Sequence, residues 1–186
     1  MHLGCLPKVK ITGYRAAIAV IFIYIWIFQK ERVHAQDSIP IPEPGYLVIS
    51  GGLYSCLDTW ATTGFFNFQL LPGCKWWVLR PQAGFLISFS GAYMIYAGVT
   101  WPARPVKWLV IETGAAMGYY ENGEGINLAY PLEFRLSLSV LYRFRNSVQL
   151  GVEVVHISNA DMGMPNPGTE SVGLILQLPL RRYKAY

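Results

Sequence analysis

The chain has 186 residues, 53% of them hydrophobic, 15% aromatic and only 14% charged, a balance that is unusual for a soluble domain of this length and points towards a membrane. The formal net charge of +4 does not signal a nucleic-acid partner. Residues 1–35 carry Lys8, Lys10, Arg15, Lys30 and Arg32 against Glu31, which leaves ten bases and ten acids in the remainder, so nucleic-acid binding loses its main support.

In chain order, the first segment reads as a secretory signal. A basic stretch holding Lys8, Lys10 and Arg15 precedes the apolar run Ala16 to Phe28, and Val33-His34-Ala35 supplies small residues for cleavage after Ala35. The expected organisation is therefore a signal peptide, 1–35, and one domain, 36–186. An uncleaved N-terminal anchor is the alternative, because the charged QKER lies between the apolar run and the cleavage site.

After Gln36 the chain shows no helical periodicity. Eight apolar and aromatic runs follow, at 45–55, 60–71, 77–90, 92–101, 106–120, 126–144, 147–158 and 170–183, separated by Gly, Pro, Asn and Asp clusters. The sixth is the clearest: Leu128, Tyr130, Leu132, Phe134, Leu136, Leu138, Val140, Tyr142 and Phe144 share one face, while Glu133, Arg135, Ser137, Ser139 and Arg143 share the other. Such length with such alternation suits a tilted membrane strand. Alternation alone also fits a soluble lipocalin-like barrel with its apolar face inward. The signal, the unbroken apolar faces and aromatic run ends such as Trp101, Tyr119, Tyr120, Tyr130, Tyr142 and Phe144 favour lipid outside. The expected fold is all-β: an eight-stranded antiparallel transmembrane β-barrel whose interior is filled by side chains, among them Glu112, Glu133, Arg135 and Glu153. Cys56 and Cys74 flank one strand of about 12 residues, so at ~3.3 Å per residue they are too far apart for a disulfide.

The seventh run, SVQLGVEVVHIS, places His156 and Ser158 on the same face as Val148, Leu150, Val152 and Val154, and Glu170 opens the eighth run in phase with Val172, Leu174, Leu176, Leu178 and Leu180. With the N-terminus periplasmic, odd strands run outward, which puts all three residues at the outer rim on the lipid-facing surface. Side chains at i and i+2 are about 6.6 Å apart at their bases. A carboxylate on the next antiparallel strand lies roughly 5 to 8 Å away, directly across or on a diagonal. That spacing permits a triad in which Ser158 attacks, His156 takes its proton and Glu170 fixes the imidazole tautomer. A bland reading stands beside it, since polar residues at strand ends also just meet headgroups, and Pro-Asn-Pro-Gly at 165–168 is ordinary turn chemistry. Once His2 and His34 leave with the signal, His156 is the only histidine. No carboxylate or histidine cluster suits a metal, so no metal or cofactor is expected.

These residues resemble the outer-membrane lipid A 3-O-deacylase family, whose signature is His-x-Ser-Asn-Ala followed by Asn-x-Gly with Glu two residues beyond the glycine. Here they stand as His156-Ile157-Ser158-Asn159-Ala160 and Asn166-Pro167-Gly168-Thr169-Glu170. The resemblance implies a serine esterase of the bacterial outer membrane that removes the 3-hydroxyacyl chain at the 3-position of lipid A, with Ser158, His156 and Glu170 as the triad. It puts the family's motif asparagines at Asn166 and Asn159, and Asn166 with loop N–H groups after Ser158 is the expected oxyanion hole. The expected partners are lipid A and other outer-membrane lipids, with a homodimer left open. An esterase or phospholipase for another outer-leaflet lipid, and a non-catalytic barrel, are the alternatives. Two features depart from a simple lipid A site. The loop Asp161-Met162-Gly163-Met164 is acidic, and Lys75, Arg80, Arg104, Lys107, Arg143, Arg145, Arg181, Arg182 and Lys184 all fall towards periplasmic ends. Acyl-chain contacts, or divalent ions bridging the lipid, are therefore expected to dominate binding.

Overall fold

The computed structural model describes residues 44–57, 61–162 and 167–180. The expected signal peptide, its cleavage point and Asn166 lie outside them. Within them the chain forms eight strands: β1 (Tyr46–Tyr54), β2 (Thr63–Leu71), β3 (Arg80–Ser88), β4 (Tyr93–Val106), β5 (Leu109–Glu121), β6 (Leu132–Arg143), β7 (Gln149–Ser158) and β8 (Thr169–Pro179). Each pairs antiparallel with the next, and β8 returns to β1 to close the barrel.

Which face points inward is decided by burial. On β6, Glu133 and Arg135 are fully buried while Leu136, Leu138 and Val140 are 43–47% exposed. The same inversion holds around the barrel, where Phe66, Phe68, Ile95, Val152, Val154 and Leu174 face out and Asn67, Gln69, Gln82, Glu112, Glu153 and Gln177 face in. Only a lipid solvent makes an apolar belt with a polar interior favourable.

Side chains fill that interior in layers. One apolar cluster holds Tyr54, Phe65, Leu86, Met94, Tyr96, Tyr120, Val155 and Ile157, and a second holds Tyr46, Val48, Leu71, Val110, Leu141 and Ile175 at the other end. A polar layer lies between them. Arg135 Nη2 donates to Glu153 Oε1 at 2.7 Å, Ser50 Oγ donates to Glu153 Oε2 at 3.1 Å, and Asn67 Nδ2 donates to Ser50 Oγ at 3.2 Å. Tyr96 closes the network by donating to Asn67 Oδ1 at 2.8 Å while its ring lies 4.8 Å from the Arg135 guanidinium. The Tyr96 hydroxyl occupies the space that a Cβ at Gly84 would fill. Buried charge of this kind is tolerable only when paired, and the packed layers leave a plug, not a channel.

Three expectations are corrected. The sixth run does not begin as a strand at residue 126: β6 starts at Leu132, and 126–131 folds across the barrel end with Ala129 at φ 66°. Ile126 and Leu128 are buried there, so Leu128 belongs to the interior and not to the lipid face. Tyr120 likewise points inward, accepting from Tyr54 at 3.0 Å and donating to the Ile126 carbonyl at 2.8 Å. In the other direction, β4 continues past Trp101 to Val106, through Pro102 and Pro105, with a register shift between Ala103 and Val106; a bulge near a strand end is where proline is accommodated. Cys56 and Cys74 are free thiols beyond opposite ends of β2.

Candidate active site

The site is built by the last ladder pairs of β7 and β8. Their register sets His156 directly opposite Glu170, and Ile157 opposite Thr169. Alternation sends Ile157 and Thr169 into the barrel, both fully buried, and so turns His156, Ser158 and Glu170 outwards. Of the positions that strand spacing allowed for the carboxylate, the structure takes the one directly across from the histidine.

His156 Nδ1 lies 3.0 Å from Glu170 Oε1, with side chains 42% and 32% exposed. A carboxylate accepts in this contact, so a neutral imidazole held by it has its proton on Nδ1 and its lone pair on Nε2. That is the tautomer a general base needs. Ser158 is half-buried one alternation further along, and among the described residues its hydroxyl makes no hydrogen bond. Contacts between nucleophile and base are often loose before substrate binds.

The chain turns sharply after Ser158. Asn159 O accepts from Met162 N at 3.1 Å, and Ala160 and Asp161 between them have φ of 53° and 65°, the signs of a type I′ turn. Neither is glycine, and holding an ordinary residue in the left-handed region costs about 1–2 kcal/mol. Such strain concentrates at functional sites. The turn is anchored from below, because Asn159 is fully buried and its Nδ2 donates to the Leu128 carbonyl at 2.8 Å. The segment that closes the barrel end is thus also the floor of the site.

Gly168 carries more than the turn chemistry legible in Pro-Asn-Pro-Gly. It stands one residue before Thr169, the last ladder partner on β8, at φ 66°, and a Cβ there would stand 3.0 Å from His156 Cε1 and 3.7 Å from Nε2. The glycine therefore clears the imidazole edge that bears the basic nitrogen. Its spacing before Glu170 was the available signal.

The family model for lipid A 3-O-deacylase (PagL) matches residues 55–179, more than half of the chain and all of the site strands. The chain belongs to the lipid A 3-O-deacylase family. Membership makes it a carboxylic ester hydrolase. The crystal structure of the outer membrane enzyme PagL superposes with a TM-score of 0.57 at 20% identity, covering 73% of this chain and 99% of that one. At that identity the likeness speaks for the fold, and it is the same barrel. No curated protein matches the chain. In this deacylase-family barrel, no group of three or more histidine, cysteine or carboxylate side chains is arranged to hold a metal among the described residues.

Proposed function

We propose that the protein hydrolyses the ester-linked 3-hydroxyacyl chain at the 3-position of lipid A, using Ser158, His156 and Glu170 on its lipid-facing surface. The observation that carries this reading is the 3.0 Å contact of His156 Nδ1 with Glu170 Oε1, outside a barrel whose interior is filled. Ser158 Oγ attacks the ester carbonyl carbon as its proton passes to His156 Nε2. Collapse of the tetrahedral intermediate breaks the ester C–O bond, and His156 returns the proton to the departing sugar 3-hydroxyl. Water, deprotonated by the same nitrogen, then releases the 3-hydroxy fatty acid and restores the serine. Glu170 holds the tautomer and steadies the imidazolium without taking the proton. Asn166, with N–H groups of the strained turn after Ser158, is assigned to the oxyanion, where one donor typically contributes ~100- to 1000-fold in rate.

The surroundings support a substrate that arrives through lipid. Below Glu170 on the same flank, Gly51 floors a shallow groove walled by Ile49, Phe66, Leu150, Leu174 and Leu176, which suits an acyl chain lying along the barrel. The test is expression in a lipopolysaccharide-producing bacterium followed by mass spectrometry of lipid A. Loss of one hydroxyacyl chain with the wild type but not with Ser158→Ala is the expected result. Unchanged lipid A beside a phospholipid product would redirect the reading to another ester, and no product from either lipid would overturn it.

A further inference from the structure

The barrel is polarised in charge along its length. The end bearing the triad exposes Glu121, Glu124 and Asp161, whereas the end bearing the β2–β3, β4–β5 and β6–β7 turns exposes Lys75, Lys107 and Arg145. Among the described residues no exposed acid sits at the basic end.

On one side of that end the bases surround an aromatic ladder. Backbone pairing from Arg143 N to Trp108 O at 2.8 Å draws the β4–β5 turn against the end of β6. Trp108 and Tyr142 then lie 6.1 Å apart between ring centroids, and Tyr142 meets Phe144 edge-on at 4.9 Å. All three rings are exposed on the lipid side. Lys107 and Arg145 sit at the adjacent turn tips, and Arg143 is half-buried with its Nη2 donating to Ser147 Oγ at 3.2 Å. Rings of this kind settle at the level of the headgroups, with their apolar bodies against acyl chains. Bases at the same level face phosphate.

We propose that the β4–β5 and β6–β7 turns form a binding site for an anionic glycerophospholipid of the leaflet opposite the triad. Its phosphate is held by Lys107 and Arg145, and its chains lie against Trp108, Tyr142 and Phe144. On the proposed function, with lipid A at the triad end, this occupant differs from the substrate in class and in leaflet. A lipid held here fixes the depth of the barrel and hence the height of the triad in the opposite leaflet. The site stands on the turns alone and does not depend on the esterase reading.

The test reads retained lipid, not turnover. Protein reconstituted in vesicles of phosphatidylcholine and phosphatidylglycerol is extracted mildly and weighed by native mass spectrometry. The wild type is expected to retain phosphatidylglycerol preferentially, with that preference falling about five-fold for each base removed in K107Q and then K107Q/R145Q. Both substitutions are confined to turn tips and leave the Arg143–Ser147 bond in place. K75Q, on a turn away from the ladder, is expected to keep the preference. No preference in the wild type, or an equal loss in K75Q, overturns a defined site.

Discussion

With Nδ1 committed to Glu170, His156 has one nitrogen left to act as a base, and the chemistry of the proposed triad follows from that single commitment. Ser158→Ala and His156→Ala are therefore expected to abolish detectable lipid A turnover while leaving the heat-modifiable barrel on gels, because both side chains lie outside the packed interior. Glu170→Ala should cost roughly ten-fold less than either, in line with the ranking of triad members elsewhere. Equal losses in all three, accompanied by loss of the folded band, would mean that the residues only support the barrel. Gly168→Ala tests the geometry from the other side. Its Cβ would press on His156 Cε1 from a residue at φ 66°, and a displacement of about 1 Å costs on the order of 100-fold in rate; turnover should fall by that order with the barrel intact. That His156, Ser158 and Glu170 share the outward face was legible in the sequence, because period-two alternation fixes which side chains lie together. Gly168 was legible as a turn residue and a member of the signature, but its contact was not, since what it avoids is an imidazole on another strand.

At the level of elements, alternation located all eight strands and failed where the chain stopped being a strand without changing its pattern. Residues 126–131 keep apolar side chains at every second position, yet Ala129 at φ 66° breaks the extended backbone and Ile126 and Leu128 turn into the barrel. Nothing in the residue types separates Leu128 from Leu138, because both are leucines in phase along one run. Their environments separate them sharply. Leu128 is buried in the cluster beneath the site, and its carbonyl holds Asn159, whereas Leu138 is 47% exposed on the lipid face. Leu128→Ala should leave a cavity costing about 2–5 kcal/mol and lower turnover with it, by loosening the floor under the Ser158 turn. Leu138→Ala should leave turnover unchanged. Urea unfolding in vesicles, run beside the lipid A assay, distinguishes these outcomes, and equal effects on turnover would place residues 126–131 on the lipid face after all. The Pro102–Val106 extension of β4 was missed for the converse reason: proline signals a strand end unless a bulge accommodates it, as one does here.

For the whole molecule, the polarity of charge bears on how the proposed substrate is held. The chain has ten bases and ten acids after residue 35, so net charge carries no information, whereas their separation does. On the proposed function, lipid A presents its phosphates to the end that exposes Glu121, Glu124 and Asp161, and like charges repel. Over a separation near 10 Å such repulsion is screened by ordinary salt, the Debye length being about 10 Å at 0.1 M. A protein with a cationic clamp would bind lipid A more weakly as salt rises. This barrel is expected to do the reverse: raising sodium chloride from about 0.01 to 0.15 M should lower KM for lipid A in mixed micelles, with kcat unchanged because the triad does not move. Magnesium should act at far lower concentration by bridging carboxylate to phosphate, and a chelator should raise KM back. A KM that climbs with salt would instead reveal a basic contact to the phosphates, and would show that acyl-chain contacts do not carry binding alone.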